Sequence, residues 1–279
     1  MWNSSHDDFA VHGAFQQSAA YAVAARACGA RVDVAALRDG GQWLGRVQMM
    51  RRMGTAVALR GPVWSPDLDA RSRKVALRRL ARQGAALIVL PEVRVQGLGI
   101  VPLMTPRHVA LWDLRPDPQQ LRAGLAGKWR NALSAAERRQ LRVAVAPKRH
   151  LPALIKAEAG QRGLRGYRAL SGAFTAHLPT DSLRIWQWQR GGHCHAAMCF
   201  VRHGDWATYH LGHADLLARE SGAHRVMLWQ AALALRAEGV STLDLGDINT
   251  EDTPGLARFK LGTGAALHQL GATALVLPG

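Results

Sequence analysis

The chain has few cysteines, few acidic residues and no long apolar run, and each scarcity excludes a class of protein. Its three cysteines, Cys28, Cys194 and Cys199, form no C-x-x-C pair, which excludes a disulfide framework and a four-cysteine zinc site. No apolar run approaches the ~18 residues that a membrane-spanning helix needs. Residues 1–8 carry acids and no basic n-region, unlike a secretory signal. We therefore expect a cytoplasmic protein without a transmembrane segment.

The shortage of acids leaves a strong positive charge. The 279 residues include 36 Lys and Arg against 20 Asp and Glu, a net charge of +16, and 48% are hydrophobic, enough to bury a core. Residues 1–146 hold +12 of this charge and 147–279 hold +4. This predicts an anionic partner: a nucleic acid, a phosphate-linked substrate, or an anionic membrane in peripheral contact. The arginine bias of a GC-rich genome would explain the total but not its uneven distribution.

One order of elements is predicted twice along the chain. The first half reads as helix, three strands, helix and strand, at 15–28, 31–38, 43–51, a strand ending at 60–62, 70–83 and 85–90. The second half repeats this order at 151–162, 183–190, 194–202, a strand ending at Gly212, 225–238 and 240–245. Glycine turns recur in register, Gly40 with Gly191 and Gly54 with Gly204. We therefore predict an α/β fold with mixed sheets, in two similar domains at 1–146 and 147–279, joined by the basic helical segment 116–142.

The sequence lacks the complete motifs of several kinds of metal-binding, catalytic and phosphate-binding site. His193 and His195 share one face of a predicted strand, but no acidic or C-x-x-C partner stands at ligand spacing, so no metal site is predicted. The sequence has no G-x-S-x-G elbow and no phosphate-binding G-x-x-x-x-G-K-[ST] loop. The segment 219–224 (RESGAH) matches the pyrophosphate turn of acyl-CoA enzymes only in part, because it ends in histidine.

Two segments carry candidate functional residues. The helix predicted at 70–83 is either a polyanion-binding surface or a solvated amphipathic face. Its basic residues are Arg71, Arg73, Lys74, Arg78, Arg79 and Arg82, and all but Arg73 are predicted to bind the polyanion. Lys260 stands in an apolar, glycine-punctuated turn after the strand end at 243–249. In a chain that prefers arginine, a lysine here indicates a site that suits a compact ammonium, or else a snorkelling side chain at a helix edge.

An ordered set of motifs resembles the FemABX-like branch of the GNAT superfamily. The set consists of Arg60-Gly61-Pro62, the segment 128–131 (KWRN), and Asp244-Leu245-Gly246 followed by 255–260 (GLARFK). The segment 17–21 (QSAAY) looks like the N-terminal Q-S-x-x-W element of that family, with Tyr21 in place of tryptophan. The resemblance implies two tandem GNAT-like domains. It also implies transfer of an aminoacyl group from aminoacyl-tRNA, as co-substrate, to an amine acceptor such as a peptidoglycan precursor, a peptide or a small molecule.

The resemblance also assigns residues. Lys260 matches the lysine that stabilises the oxyanion of ester aminolysis, a role that a positioned ammonium suits. Asp247, the substrate itself or water would take the proton of the attacking amine. The residues expected to bind substrate are Gln17, Tyr21, Arg60, Lys128, Arg130 and Phe259. No cofactor is expected.

Two other functions stay open from the sequence. One is an N-acyltransferase of the same fold that uses acyl-CoA or an acyl-carrier protein as donor. The other is a non-catalytic binder of an anionic partner. The chain also lacks the long coiled-coil arm of some family members, so no tRNA contact through such an arm is expected.

Overall fold

The computed structural model describes residues 13–84, 86–167 and 169–279. The N-terminal segment on which the secretory-signal prediction rests lies outside them. Within the described ranges, no helix has the length and apolar character needed to cross a membrane.

The first sheet is mixed and is built mostly from the first half of the chain. Its strands, in spatial order, are β1 (Arg31–Asp39), β2 (Gln42–Arg52), β3 (Thr55–Leu59), β5 (Ala86–Leu90), β14 (Thr273–Val276) and β6 (Ile100–Met104), with β4 (Val63–Trp64) beside β2. Strands β3 and β5 are parallel and the other neighbours are antiparallel. The helices of this half are α1 (Ala19–Ala27) and α2 (Ala70–Ala81).

The second sheet repeats this arrangement. Its strands, in spatial order, are β13 (Ala266–Gln269), β7 (His108–Asp113), β12 (Thr242–Asp247), β11 (Trp206–Ala214), β10 (His193–His203), β9 (Leu183–Arg190) and β8 (Val143–Val145). Strands β11 and β12 are its parallel pair. Its helices are α3 (Pro118–Ala123), α4 (Gly127–Arg138), α5 (Leu151–Arg165), α6 (Gly172–Ala176), α7 (Leu216–Ser221), α8 (Ala223–Ala237) and α9 (Pro254–Leu261). The predicted mixed α/β fold, with one plan used twice, is confirmed.

Side-chain caps set several helix boundaries. Ser18 accepts a hydrogen bond from the Tyr21 N–H, so α1 begins at Ala19 rather than at residue 15 as predicted. Asp69 caps α2 through the N–H groups of the first turn. In α3, Asp117 and Gln120 form a reciprocal capping box ahead of the basic segment.

The two sheets exchange strands, which corrects the predicted boundary at 146/147. Strand β7 leaves the first half and pairs with β12 and β13 in the second sheet, while β14 returns to pair with β5 and β6 in the first. The linker helix α4 also packs on α8 in the second core. The sheets therefore divide near residue 106, and the C-terminal strand returns to the first. A third core cluster, which unites α1 with α5, α6 and the face of β9–β11, joins the halves.

Candidate active site

An opening separates the two parallel strands of the second sheet. Strands β11 and β12 are paired at only three positions, the last of which is Thr208 with Asp244, although they continue to Ala214 and Asp247. The corresponding pair in the first sheet, β3 and β5, stays paired over its whole length. We call the gap beyond Thr208 and Asp244 the cleft. Open α/β sheets bind ligands outside the carboxyl ends of their strands, so the cleft is the candidate site.

A buried ion cluster closes the inner end of the cleft. It consists of Arg60, which follows β3, with Glu92, which follows β5, and Asp244 on β12. The Arg60 Nη1 atom donates to Asp244 Oδ2 at 2.9 Å, and its Nε donates to the Glu92 carboxylate. The Arg60 and Asp244 side chains are only 6% and 2% exposed. Since Arg60 lies in the first half and Asp244 in the second, the ion cluster fixes one half against the other.

Burial and neighbouring charges shift the pKa values of the groups in and around the ion cluster. Burial alone would lower the pKa of Arg60, but the charges of Asp244 and Glu92 outweigh it and raise that pKa. Burial opposes ionisation of Glu92, yet the His268 and Arg60 contacts hold its pKa below the usual value. His203 lies nearby, bonded to Thr208 at 2.9 Å, and burial together with the Arg60 charge lowers its pKa to about 4. His203 is therefore neutral at physiological pH.

Lys260 reaches the cleft from α9. Pro254 occupies the first turn of this helix, and the preceding loop is ordered by the Asn249 side chain, which accepts from the N–H groups of Glu251 and Asp252. The Lys260 Nζ atom donates to the backbone carbonyl of Asp247 at 2.8 Å. Burial lowers the pKa of this ammonium to about 8, against the opposing effect of Asp244. At neutral pH the cleft thus holds a desolvated positive charge.

The linker helix α4 holds α9 in place. The Trp129 indole N–H donates to the Phe259 carbonyl at 3.0 Å, and the two rings lie 6.0 Å apart. Gly262 allows this contact, because a Cβ atom there would lie 2.5 Å from the Trp129 ring. The Ala126 N–H also donates to the Gly262 carbonyl. The basic segment therefore positions the helix that carries Lys260.

The structure brings together only some of the residues predicted for the site. Arg60 and Lys260 lie at the cleft, and Phe259, next to Lys260 on α9, packs on Trp129. The Asp247 carboxylate is half exposed and pairs with Arg107, so this residue meets Lys260 through its backbone carbonyl. Lys128 is exposed on the linker helix, whereas Arg130 is half-buried and donates to the Ala123 carbonyl.

Gln17 and Tyr21, both predicted to bind substrate, lie in the interior of the protein. The Gln17 amide donates to the carbonyls of Gln48 and Leu59 and accepts from the Gln48 N–H, so it joins β2 to β3. Tyr21 packs against Phe15 and Phe174 in the core shared by the two halves. Both side chains therefore hold together the frame around the site.

The predicted polyanion residues divide into two groups. Arg78 donates to the carbonyls of Leu277 and Pro278, and Arg79 pairs with Asp39 at 2.6 Å. These two arginines are engaged within the protein. The others form what we call the basic face, in which two residues are exposed and Lys74 is half-buried: Arg71, Lys74 and Arg82.

The turn before α8 is occupied by protein contacts. Gly222 adopts a left-handed conformation, φ 79°, that separates α7 from α8. The Ala223 N–H meets the Ser221 hydroxyl at 3.3 Å, and the Arg225 N–H donates to the Gly222 carbonyl at 3.0 Å. Helix α4 lies over this turn, since a Cβ atom at Gly222 would be 2.9 Å from that of Ala136. The turn therefore does not offer these N–H groups to a pyrophosphate.

Sequence reasoning missed several residues of the site. Asp244 and Trp129 stood inside motifs that were recognised, but neither was assigned a role. Glu92 and His203 gave no signal, because no local pattern distinguishes a buried ion-pair partner from an ordinary surface residue.

The fold resembles several solved structures at low sequence identity. FemX superposes with a TM-score of 0.74 at 15% identity, covering 98% of this chain and 94% of that one. The C-terminal domain (DUF2156) assigned to a lysylphosphatidylglycerol synthetase of Agrobacterium fabrum gives 0.57 at 14%, covering 95% and 89%. L-PGS from Bacillus licheniformis gives 0.51 at 12%, covering 88% and 84%. These likenesses concern the fold.

Sequence comparison places the chain in a family. No curated protein sequence matches it at a significant level. Residues 117–264, just over half of the chain, match the family model of the acetyltransferase (GNAT) domain. This range contains α4, the cleft and Lys260. The chain therefore belongs to the family of the acetyltransferase (GNAT) domain, with a FemX-like fold.

Proposed function

We propose that the protein transfers an aminoacyl group from aminoacyl-tRNA to an amine, with Lys260 as the electrostatic catalyst. The amine nitrogen attacks the ester carbonyl, a C–N bond forms, and the carbonyl electron pair moves onto oxygen. The amine proton passes to a base, and when this tetrahedral intermediate collapses, the C–O bond breaks with its electron pair going to the tRNA ribose oxygen, which takes up a proton from that base or from water. The desolvated ammonium of Lys260 in the cleft is the observation that supports this proposal.

The ammonium suits this reaction because negative charge develops on the carbonyl oxygen only as the intermediate forms. A fixed positive charge in a poorly solvated site stabilises that charge more than water does. The route needs no covalent enzyme intermediate, and Cys194 and Cys199 are poor nucleophiles. Burial raises the pKa of Cys199 to about 12 and also raises that of Cys194.

Asp247 is the proposed acceptor of the amine proton. Asp247 is the last residue of β12, its backbone carbonyl accepts from Lys260, and its carboxylate is half exposed. Proton transfer from the amine to Asp247, or through one water molecule, requires this carboxylate to leave Arg107 when substrate binds. The acceptor would be a peptidoglycan precursor, a peptide or a small amine.

The nature of the donor decides between this function and its alternatives. An acyl-CoA donor is disfavoured by the occupied turn before α8. Purified protein should be offered charged tRNA, acyl-CoA and acylated carrier protein, each with a radiolabelled acyl group and a pool of amine acceptors. Transfer from charged tRNA alone supports the proposal. Transfer from CoA or carrier protein would replace it, and no transfer from any donor would favour a non-catalytic binder.

The pH dependence of the reaction tests the charge state of Lys260. We expect the ratio of the wild-type single-turnover rate to that of Lys260→Ala to be constant below about pH 7 and to fall above about pH 8, because the ammonium loses its proton there. Taking the ratio cancels the titration of the acceptor amine and the hydrolysis of the ester. A ratio that rises through pH 8 would instead make neutral Lys260 a general base.

The basic face is the proposed contact with tRNA. Reversing Arg71, Lys74 and Arg82 to glutamate should weaken tRNA binding steeply. Each lost phosphate contact means that one counterion fewer is released from the tRNA on binding. The slope of log Kd against log salt should become shallower by about two to three, as measured by filter binding over a salt series.

A reversal of equal charge elsewhere provides the control. Lys148, Arg149 and Arg190 are exposed residues of the second half. Their triple change to glutamate alters the net charge by the same amount but should leave most of the affinity. Equal losses in the two variants would mean that total charge, rather than the basic face, attracts the nucleic acid.

A further inference from the structure

A groove lies on the face of the second sheet opposite α8. It runs between α5 and the segment that joins β11 to α7, and its volume is about 700 Å³. Its walls are formed by small and apolar residues, among them Ala153, Ala157, Gly160, Leu164 and Ala214. No step of the proposed transfer uses these residues.

The groove ends against the strand that forms one wall of the cleft. The Gln161 amide donates to the Gly212 carbonyl at 3.2 Å and accepts from the Ala214 N–H at 3.3 Å. The Asp215 N–H bonds to β10, and the backbone groups of successive residues in a strand point to opposite edges. The backbone groups of Gly212 and Ala214 therefore point to the other edge of β11, where β12 is no longer paired with it. The inner end of the groove therefore adjoins the cleft.

Apolar and cationic groups meet at the mouth of the groove. Leu164 lines the groove with its side chain 91% exposed, and Leu216, next to the lining residue Asp215, is 68% exposed. Lys156 and Arg219 are exposed lining residues. The one carboxylate in the lining, Asp215, is engaged by His195 at 2.7 Å and by the first turn of α7. Arg219 also donates to the Ala214 carbonyl at 2.7 Å. With two cations against one carboxylate, the mouth is apolar with a net positive rim.

The sequence of α5 keeps this groove open. Gly160 stands inside a helix, where glycine costs ~1 kcal/mol relative to alanine. A Cβ atom at Gly160 would have no neighbour within 4 Å, so packing does not require a glycine there. The absence of a side chain at Gly160 leaves the groove unobstructed at this position.

We propose that the groove binds the acyl chain of an anionic membrane lipid, with the lipid phosphate at Lys156 and Arg219. An apolar channel takes the chain because burial removes its surface from water, and the cations select a negative headgroup. The exposed leucines then enter the interface beside the headgroups. This inference is independent of the proposed transfer reaction, because it concerns attachment to a surface.

The test is sedimentation with vesicles at about 0.15 M salt, where a screening length of ~8 Å weakens long-range attraction of the whole protein but leaves the short contacts of Lys156 and Arg219 with the lipid phosphate. Wild-type protein should bind phosphatidylglycerol vesicles more tightly than phosphatidylcholine vesicles. Leu164→Gln should weaken this binding about tenfold, as expected for the loss of one buried leucine. Gly160→Leu should weaken it at least as much by filling the groove, without lowering the melting temperature.

Leu98→Gln is the matched control, since this side chain is 82% exposed in the first half, away from the groove. It should bind like wild type. Glycerol phosphate added in excess should not compete, because it has no chain, whereas competition would assign the site to free phosphate esters. Equal binding to both vesicle types, no binding, or wild-type binding by both groove variants would overturn the proposal.

Discussion

Lys260→Ala is expected to lower the rate of aminoacyl transfer by about two to three orders of magnitude. The loss follows from removing a positive charge that acts on the oxyanion in a poorly solvated cleft, since single donors of this kind contribute ~3–4 kcal/mol. The rate should be measured in single turnover with saturating charged tRNA. The affinity for tRNA should change little, because the contact strengthens only in the transition state.

Three further variants separate chemistry from folding. Lys260→Met keeps the length of the side chain and should be as slow as alanine. Lys260→Arg should recover little activity, because a planar guanidinium does not fit the place of a compact ammonium. Lys148→Ala removes an exposed lysine and should leave the rate unchanged. Near-wild-type turnover of Lys260→Met would remove Lys260 from the mechanism, and a large fall in its melting temperature would assign the residue a structural role.

Local sequence signals located most of the long elements of the fold. The predicted strand 183–190 coincides with β9, and the predicted helix 70–83 contains α2. The six strands that the sequence did not reveal are β4, β6, β7, β8, β13 and β14, each two to six residues long. Such short strands show no usable periodicity. Their pairing depends on distant partners, as when β14 inserts between β5 and β6, so the strand exchange could not be read from the sequence.

The same limit applies to the site. Lys260 could be singled out because its type is rare in this chain and its turn resembles a family motif. The contact of Arg60 with Asp244 joins residues 184 positions apart, and no local pattern predicts it. Gln17 was read as a ligand contact because its motif was recognised, yet the motif preserves a buried bridge between β2 and β3. The motif thus located a buried structural residue, and only the three-dimensional contacts show the bridge that it forms.

Arg60→Ala is expected to destabilise the protein by about 3–5 kcal/mol, since it leaves the buried Asp244 carboxylate without its paired cation and leaves the partly buried Glu92 with His268 alone. The melting temperature should fall by about 10 °C. Urea unfolding measures the change as a lower midpoint at constant slope. Because Arg60 joins the two halves, the cleft and the first sheet should lose stability together.

Arg79→Ala provides the comparison. Arg79 also pairs with an aspartate, Asp39, but both side chains are about half exposed, 50% and 53%. Solvent screens such a pair, so its loss should change stability by less than about 1 kcal/mol. Removing the Asp244 carboxylate as well, in Arg60→Met with Asp244→Asn, should recover part of the stability lost in Arg60→Met alone, because fewer buried charges then lack a partner. If Arg60→Ala were as mild as Arg79→Ala, the ion cluster could not be what holds the halves together, and the apolar core around Phe15 and Phe174 would carry that role.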